Sequence, residues 1–234
     1  VKKTLGLRFG FYEGWWTWIY TFVDLAIYPV LFVEYASFFY PQIALFKIPV
    51  CLTIIWIGAA LNIIGISPVG KTATMLSVLV ITPFIVLFVM AIKDGGYFSI
   101  PAPSLKGISF PSLGMALYTV MWNFFGFDNT TTYAEEVNKP ASTYLKSIGI
   151  AFVKVIFVYA MVMYATLRFG INAQVLNEEG YPALGVIAGG HWLGTALSIA
   201  GMAGALGLFA AVLLSVSRVP QVMSDDGLLP VKLH

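Results

Sequence analysis

The stretch WNFFGFDNTTTYAEEVNKP, residues 122–140, interrupts an otherwise apolar segment of the chain. This segment begins near Leu113 and provides about 15 apolar residues, roughly 22 Å of helix, before Asp128. A helix needs about 20 apolar residues to cross the hydrocarbon of a bilayer. The Asn and Thr side chains after Asp128 compete for backbone hydrogen bonds or restrict χ1 in a helix. The sequence therefore predicts one crossing over residues 113–137, built from two half-helices with an unwound joint near residues 126–131.

Two explanations fit this stretch. In the first, the joint is buried in protein or lines a watery cavity, since non-helical backbone at membrane depth is tolerated only there. Broken helices of this kind build substrate sites in secondary transporters. In the second, the helix ends in a cytoplasmic loop at Asp128.

The composition predicts the class of protein. Hydrophobic residues make up 59% of the 234 residues and charged residues only 10%, against roughly 25% charged in soluble domains. The expected fold is therefore an all-α polytopic membrane protein with a single transmembrane domain over residues 1–234. The long connection at residues 170–191 has room for a short helix. The other predicted crossings are residues 15–39, 48–66, 73–92, 147–167 and 193–216.

Several functional classes are disfavoured by what the sequence contains. A net charge of +2, spread along the loops, gives no footprint for nucleic acid. Cys51 is the single cysteine, and His191 and His234 lie far apart, so we expect no disulfide, no metal site and no cofactor. No catalytic or phosphate-binding motif is present, so we expect no enzyme.

The placement of lysines and arginines predicts the orientation. With six crossings, eight of the 13 lie on the side of the termini, four lie on the other side, and Lys154 falls within a crossing. Because cytoplasmic loops carry the excess of positive charge, both ends of the chain are predicted to be cytoplasmic. Plasma membrane is the expected location.

Four ionisable side chains fall inside predicted crossings, where each costs roughly 2.5–3.5 kcal/mol on insertion scales. They are Asp24, Glu34, Asp128 and Lys154. Glu34 has a simple structural explanation, since its side chain can extend to headgroups or water. Lys154 has another, as the charge partner of Asp24 or Asp128. Asp24, with Tyr28 one turn later, is explained either by function or by a hydrogen bond between helices.

Small residues recur in the last predicted crossing. Gly201, Gly204 and Gly207 come at every third position, and small residues let helices approach closely in a bilayer. An internal packing face and a dimerisation motif both fit this pattern.

Several stretches resemble one transporter family, in order along nearly the whole chain. The stretch at residues 13–35 is similar to the third membrane helix of plant-type polyamine uptake transporters, in the L-type branch of the amino acid–polyamine–organocation superfamily. The stretch at residues 122–140 resembles the family's broken sixth helix. Further similar stretches are LNIIGISPVG at 61–70, ITPF at 81–84, GGHWLG at 189–194 and SDDGLLP at 224–230.

The resemblance implies a five-plus-five inverted-repeat fold of the LeuT type, with substrate held between the broken first and sixth helices. On that scale the chain covers helices three to eight. It is expected to be a fragment, or part of a longer carrier, without helices one and two or nine to twelve.

The resemblance also implies roles for particular residues. Asp128 matches the acidic position at the joint, where it would face an ammonium group or take part in proton coupling. Asp24 would supply a second carboxylate beside Tyr28. Lys154 matches no motif of the family; with Asp128 and Glu34 it is a candidate for coupling or charge balance because of its depth in a predicted crossing. The other implied cavity residues are Gly126, Phe127 and Asn129 in the backbone of the joint, with Trp122 and Phe125 as aromatic candidates for cation stacking or gating.

The expected function is a secondary active transporter, proton-coupled or exchanging, for polyamines or amino acids. Its partners would be a small organic cation or amino acid, a proton or counter-substrate, and the lipid bilayer. Lys154 would cancel one of two carboxylates and so favours an amino acid over a polyamine. The alternative function is a non-transporting membrane scaffold or sensor that keeps the fold. A channel is disfavoured because no filter repeat is present.

Overall fold

In a computed structural model, the described part of the chain is built from eight α-helices and one short 3₁₀ helix, η1, without a strand. The residues that the structure describes are 1–64, 66–94, 109–124, 126, 140–171 and 173–229. The helices are α1 (Lys2–Leu5), α2 (Leu7–Ser37), η1 (Pro41–Phe46), α3 (Lys47–Ile64), α4 (Ile66–Lys93), α5 (Phe110–Asn123), α6 (Pro140–Arg168), α7 (Ala173–Gly189) and α8 (His191–Asp225).

Five of the described helical segments are long and apolar enough to cross a membrane. They are Leu7–Ser37, Pro41–Ile64, Thr74–Lys93, Ser142–Arg168 and His191–Asp225. The architecture is thus that of an all-α polytopic membrane protein, as the composition predicted. The long connection at residues 170–191 holds α7, which contains a kink at Gly180, where φ is 68°.

The helix α8 lies at the centre of the described fold, and α2, α3, α4 and α7 all pack against it. Its small residues explain the close approach. A Cβ atom at Gly194 would lie 2.9 Å from the Pro182 carbonyl oxygen, and one at Gly201 would overlap the Tyr35 ring. Gly204 and Gly207 face Val80 and Leu76 of α4 at about van der Waals distance. The small-residue face is therefore used inside the chain.

Two apolar clusters flank α8. One joins α4, α6, α7 and α8 through side chains that include Leu87, Ala165 and Leu184. The other joins α2, α3 and α8 and includes Tyr28 and Phe209. Because α8 contributes to both clusters, it connects the two halves of the described scaffold.

Two charged contacts tie helix ends together. The Lys2 ammonium donates to a carboxylate oxygen of Asp226 at 2.8 Å and to its carbonyl oxygen at 2.7 Å, joining the two ends of the described chain. Arg168 lies at the end of α6, with its side chain only 4% exposed. It donates to the Ala91 carbonyl at 3.2 Å and lies 3.5 Å from an Asp94 carboxylate oxygen, so it holds α6 against α4.

Candidate substrate site

The helix α5 leads into the stretch that the sequence identified. Ser109 caps it: its hydroxyl accepts from the Ser112 amide, and the Ser112 hydroxyl accepts from the Ser109 amide. This reciprocal capping box satisfies free donors at the helix start. The helix is 14 residues long, about 21 Å, and ends at Asn123. It is therefore too short to cross a bilayer by itself.

After α5 the described backbone is not helical. Phe124 follows the helix with φ −110° and ψ 2°, and Gly126 has a φ of 94°. A positive φ of this size is a conformation that glycine adopts freely and L side chains rarely do. Gly126, two residues before Asp128 in the sequence, thus has a non-helical backbone conformation. The residues Asp128, Phe125, Phe127 and Asn129, and the second predicted half-helix, lie outside the described residues.

The end of α5 contacts α6 through polar and aromatic side chains. The Tyr159 hydroxyl donates to the Asn123 side-chain oxygen at 3.0 Å, and the Asn123 amide donates to the Thr119 carbonyl at 2.8 Å. The Phe124 ring lies 5.9 Å from the rings of both Phe152 and Tyr159. The end of α5 therefore contacts the middle of α6.

Sequence reasoning did not identify Tyr159 as part of this region. The sequence feature that could have identified Tyr159 is its position within an apolar segment, since a buried or membrane-embedded tyrosine hydroxyl usually requires a partner. Nothing in the sequence pattern named Asn123 as that partner. Trp122, one of the predicted aromatic candidates, is 41% exposed on α5 and remains open to a ligand or a further helix.

Asp24 lies on α2 in a half-buried position. The Tyr28 hydroxyl donates to its carboxylate at 3.1 Å, and the Tyr28 side chain is only 9% exposed within the α2–α3–α8 cluster. The sequence offered a hydrogen bond between helices as the structural explanation; the bond observed lies within α2. A carboxylate has about four acceptor positions, so one tyrosine leaves Asp24 with positions at which it can accept from an ammonium group.

Glu34 and Lys154 are both exposed in the described fold. Glu34 is ten residues beyond Asp24 on α2, and the Ser37 hydroxyl donates to its backbone carbonyl rather than to its carboxylate. Lys154 shares a helical face with Met161 and Ala165, which are buried where α6 packs. It therefore extends the inward-facing stripe of α6 into a region that the described residues leave uncovered.

The structure does not bring Lys154 and Asp24 together. Among the described residues there is no ion pair between them, and their helices have different main neighbours. The helix α2 packs on α8, α3, α1 and η1, whereas α6 packs on α4. Neutralisation of Asp24 by Lys154 is therefore not found in this part of the chain.

The described His, Cys, Asp and Glu side chains do not form a group of three that could hold a metal ion. The described residues offer a half-buried carboxylate on α2, an exposed indole on α5, and non-helical backbone at Phe124 and Gly126. Carboxylates and aromatic faces are the groups that bind ammonium ions in proteins.

Comparison with known proteins gives a consistent result. The chain matches the family described as amino acid permease over residues 1–233. It is 29% identical over 236 residues to Polyamine transporter RMV1 of Arabidopsis thaliana, covering 98% of this chain and 47% of that protein. It is 31% identical over 240 residues to Polyamine transporter PUT1 of Oryza sativa subsp. japonica, covering 98% and 43%. The chain thus spans about half the length of the curated relatives that it matches.

Proposed function

Because the chain belongs to the amino acid permease family, we propose that the protein is a secondary active transporter that moves polyamines or amino acids across a membrane. The observation that carries this proposal is the ending of α5 at Asn123, followed by the positive φ of Gly126, two residues before Asp128. Half-helix ends and unwound backbone at membrane depth are the features from which transporters build substrate sites. Family membership also supports a transporter rather than an enzyme.

Asp128 is the proposed anchor for the substrate. Its carboxylate would pair with an ammonium group, and the backbone of Gly126, Phe127 and Asn129 would line the same cavity. Trp122, which is 41% exposed, and Phe125 would offer aromatic faces to the cation. The role of Asp128 is supported by its position two residues after the described non-helical glycine.

Asp24 is the proposed second acidic group. It is half-buried and receives a single described hydrogen bond, from Tyr28. A carboxylate with free acceptor positions can receive a second ammonium group. Asp128, Lys154 and Glu34 are the proposed groups for proton coupling or charge balance. Whether the carrier works by proton symport or by exchange, the coupled charge would be held among these residues.

The first experiment measures uptake of putrescine, spermidine, arginine and leucine by the full-length protein and its Asp128→Asn variant. We expect at least a tenfold loss of cation uptake, because a hydrogen bond to a charged group contributes about 1.5–3 kcal/mol. Glu135→Gln removes a nearby carboxylate outside the proposed joint and should leave uptake unchanged. Normal transport of every substrate by Asp128→Asn would show that the proposed role of Asp128 is wrong.

The second experiment addresses the choice between polyamines and amino acids. The two plant relatives are polyamine transporters by name, whereas Lys154 adds a positive charge on the inward stripe of α6. We expect Lys154→Gln to increase competition by spermidine relative to arginine. The control is Lys146→Gln, an exposed lysine near the start of the same helix. If Lys154→Gln and Lys146→Gln give the same competition profile, Lys154 does not contribute to the substrate site.

The proposed location is the plasma membrane, with both ends of this chain in the cytoplasm. The two-to-one distribution of lysine and arginine supports this orientation. Labelling of single introduced cysteines in intact cells, one beside Lys3 and one beside Lys93, would test it. If a reagent outside the cell labels the cysteine beside Lys3, the orientation is the opposite of the one proposed.

The alternative function, a membrane scaffold without transport, is not favoured. The small residues that motivated it, Gly201, Gly204 and Gly207, face α2 and α4 within the chain. They are therefore not free to form a partner interface. Absence of uptake for all four substrates by the well-folded full-length protein would revive this alternative.

A further inference from the structure

An apolar groove lies where α2, η1, α3 and α8 meet, and its volume is about 530 Å³. Phe32 of α2 and Leu206 of α8 line it together with side chains of α3 and Phe46 of η1. Thr53 is its one polar side chain, and the Thr53 hydroxyl already donates to the Pro49 carbonyl at 2.9 Å. The groove walls therefore offer contacts to an apolar occupant and almost no hydrogen bonds.

A positive charge lies at one end of this groove. Val50, Ile54 and Ile57 line it from α3, and Lys47 precedes them by three, seven and ten residues, which is the spacing of one helical face. Lys47 is exposed. Among the described residues, no ion pair and no side-chain hydrogen bond occupies its ammonium group. The ammonium is therefore available to an anion at the mouth of the groove.

The length of the groove matches one leaflet of a bilayer. From Lys47 to Ile57 the helix rises roughly 15 Å, which is about half of the 30 Å hydrocarbon core. Lys47 lies near the start of the membrane-crossing segment Pro41–Ile64, where a lysine side chain extends to the headgroup level. The charge is thus at the height of lipid phosphates, and the apolar walls are at the height of acyl chains.

We propose that this groove binds an anionic phospholipid, with the phosphate on Lys47 and one acyl chain along Val50, Ile54 and Ile57. The charge favours a lipid over an apolar helix as the occupant. The exposed Lys47 ammonium attracts an anion, which a lipid phosphate supplies and an apolar helix does not. The lipid site is independent of the proposed transport site.

The test is native mass spectrometry of the delipidated full-length protein, titrated with phosphatidylglycerol or with phosphatidylcholine. We expect Lys47→Ala to weaken phosphatidylglycerol binding about fivefold, the equivalent of about 1 kcal/mol per lysine near a lipid surface. Ile57→Trp fills the groove and should remove the bound lipid of either type. Ile57 is 57% exposed, so the larger side chain does not have to enter the packed core.

Two matched variants serve as controls. Lys93→Ala removes an exposed lysine at the end of α4, and Ile63→Trp adds the same bulk to α3 beyond the groove, at a residue that is 87% exposed. Neither should change lipid binding. Equal lipid loss from Lys47→Ala and Lys93→Ala, or equal retention by Ile57→Trp and Ile63→Trp, would overturn the proposal. Cross-linking of a cysteine at position 57 to another helix or a second copy would also overturn it.

Discussion

The helices α8 and α5 are both apolar and both contain glycine, yet they occupy opposite situations in the described fold. The 35 residues of α8 include 15 that are buried. The 14 residues of α5 include none that is buried against the described part of the chain. A Cβ at Gly194 of α8 would meet backbone and side chains, whereas one at Gly114 of α5 would meet nothing within 4 Å.

This contrast shows that apolar composition does not separate the scaffold from the candidate site. In a membrane protein every crossing helix is apolar, because lipid and protein neighbours are equally apolar. What distinguishes α8 is the sequence of small residues that lets neighbours approach it. Trp122, a proposed substrate-binding residue, lies on α5 and is 41% exposed, whereas the proposed carboxylate Asp24 lies on the packed helix α2.

The largest effect is expected from Gly194→Val. The added side chain would collide with the Pro182 carbonyl and with Val186, and neither can move without shifting α7 against α8. We expect a loss of about 3 kcal/mol in the free energy of unfolding, the upper end for overpacking, seen as a loss of monodisperse protein in detergent. Gly114→Val is the matched control and should leave the yield unchanged. Equal losses from the two variants would contradict the contrast between α8 and α5.

A smaller effect is expected from Arg168→Gln. The buried guanidinium bonds the Ala91 carbonyl and faces Asp94, so its removal leaves a carbonyl unpaired and loosens α6 from α4. The expected loss is about 2 kcal/mol, measured as a lower Tm in detergent. Asp94→Asn, in contrast, changes a carboxylate that is 53% exposed and should cost less than about 1 kcal/mol. If Asp94→Asn lowers the stability more than Arg168→Gln does, the main stabilising partner of Arg168 is the Asp94 carboxylate and not the Ala91 carbonyl.

Tyr28→Phe tests the border between the packed core and the candidate site. The substitution keeps the ring in the α2–α3–α8 cluster and removes the hydroxyl that donates to Asp24. We expect a loss of about 1 kcal/mol in stability and a changed KM for cationic substrates with little change in expression. Tyr12→Phe, at a tyrosine of the same helix that is 56% exposed, should change neither. An unchanged KM in Tyr28→Phe would separate Asp24 from substrate binding.

The smallest effect is expected from Gly114→Ala. Alanine favours a helix over glycine by about 1 kcal/mol in an exposed position, and no neighbour stands in its way. We expect a small rise in Tm for the full-length protein. A fall in Tm would show that α5 is closely packed at Gly114 by another part of the full-length protein, and that its exposure is not a property of the complete carrier.

The membrane class and the helical architecture were predictable because hydropathy over about 20 residues is a strong local signal. The positions of the helix ends were less predictable from the sequence. The first crossing was predicted to begin at residue 15, but α2 begins at Leu7. In this first part of the chain, Gly14 lies against Met223 and Lys2 pairs with Asp226. These contacts join residues more than 200 positions apart in sequence, and no local pattern contains them.

In the candidate site, too, some features were predictable from the sequence and others were not. The shortness of the apolar run before Asp128 is a count along the chain, and the 14-residue length of α5 is consistent with it; the broken crossing itself stays a prediction. The sequence also predicted that Asp24 is a carboxylate at membrane depth. It did not show that Tyr28 bonds Asp24 within the same helix, nor that Tyr159 fixes the end of α5 through Asn123. Such bonds depend on rotamers and on which helix faces lie opposite each other.

By itself, then, the sequence determined that this protein is helical and built for a membrane, and that its charged residues at depth are few and particular. Length and hydropathy are properties of single segments, so they can be read from the chain. Only the tertiary structure decided that α8 is the centre, that its glycines contact α2 and α4, and that Lys154 and Asp24 are not paired. These are relations between segments, set by side-chain packing across distances that the sequence order does not record.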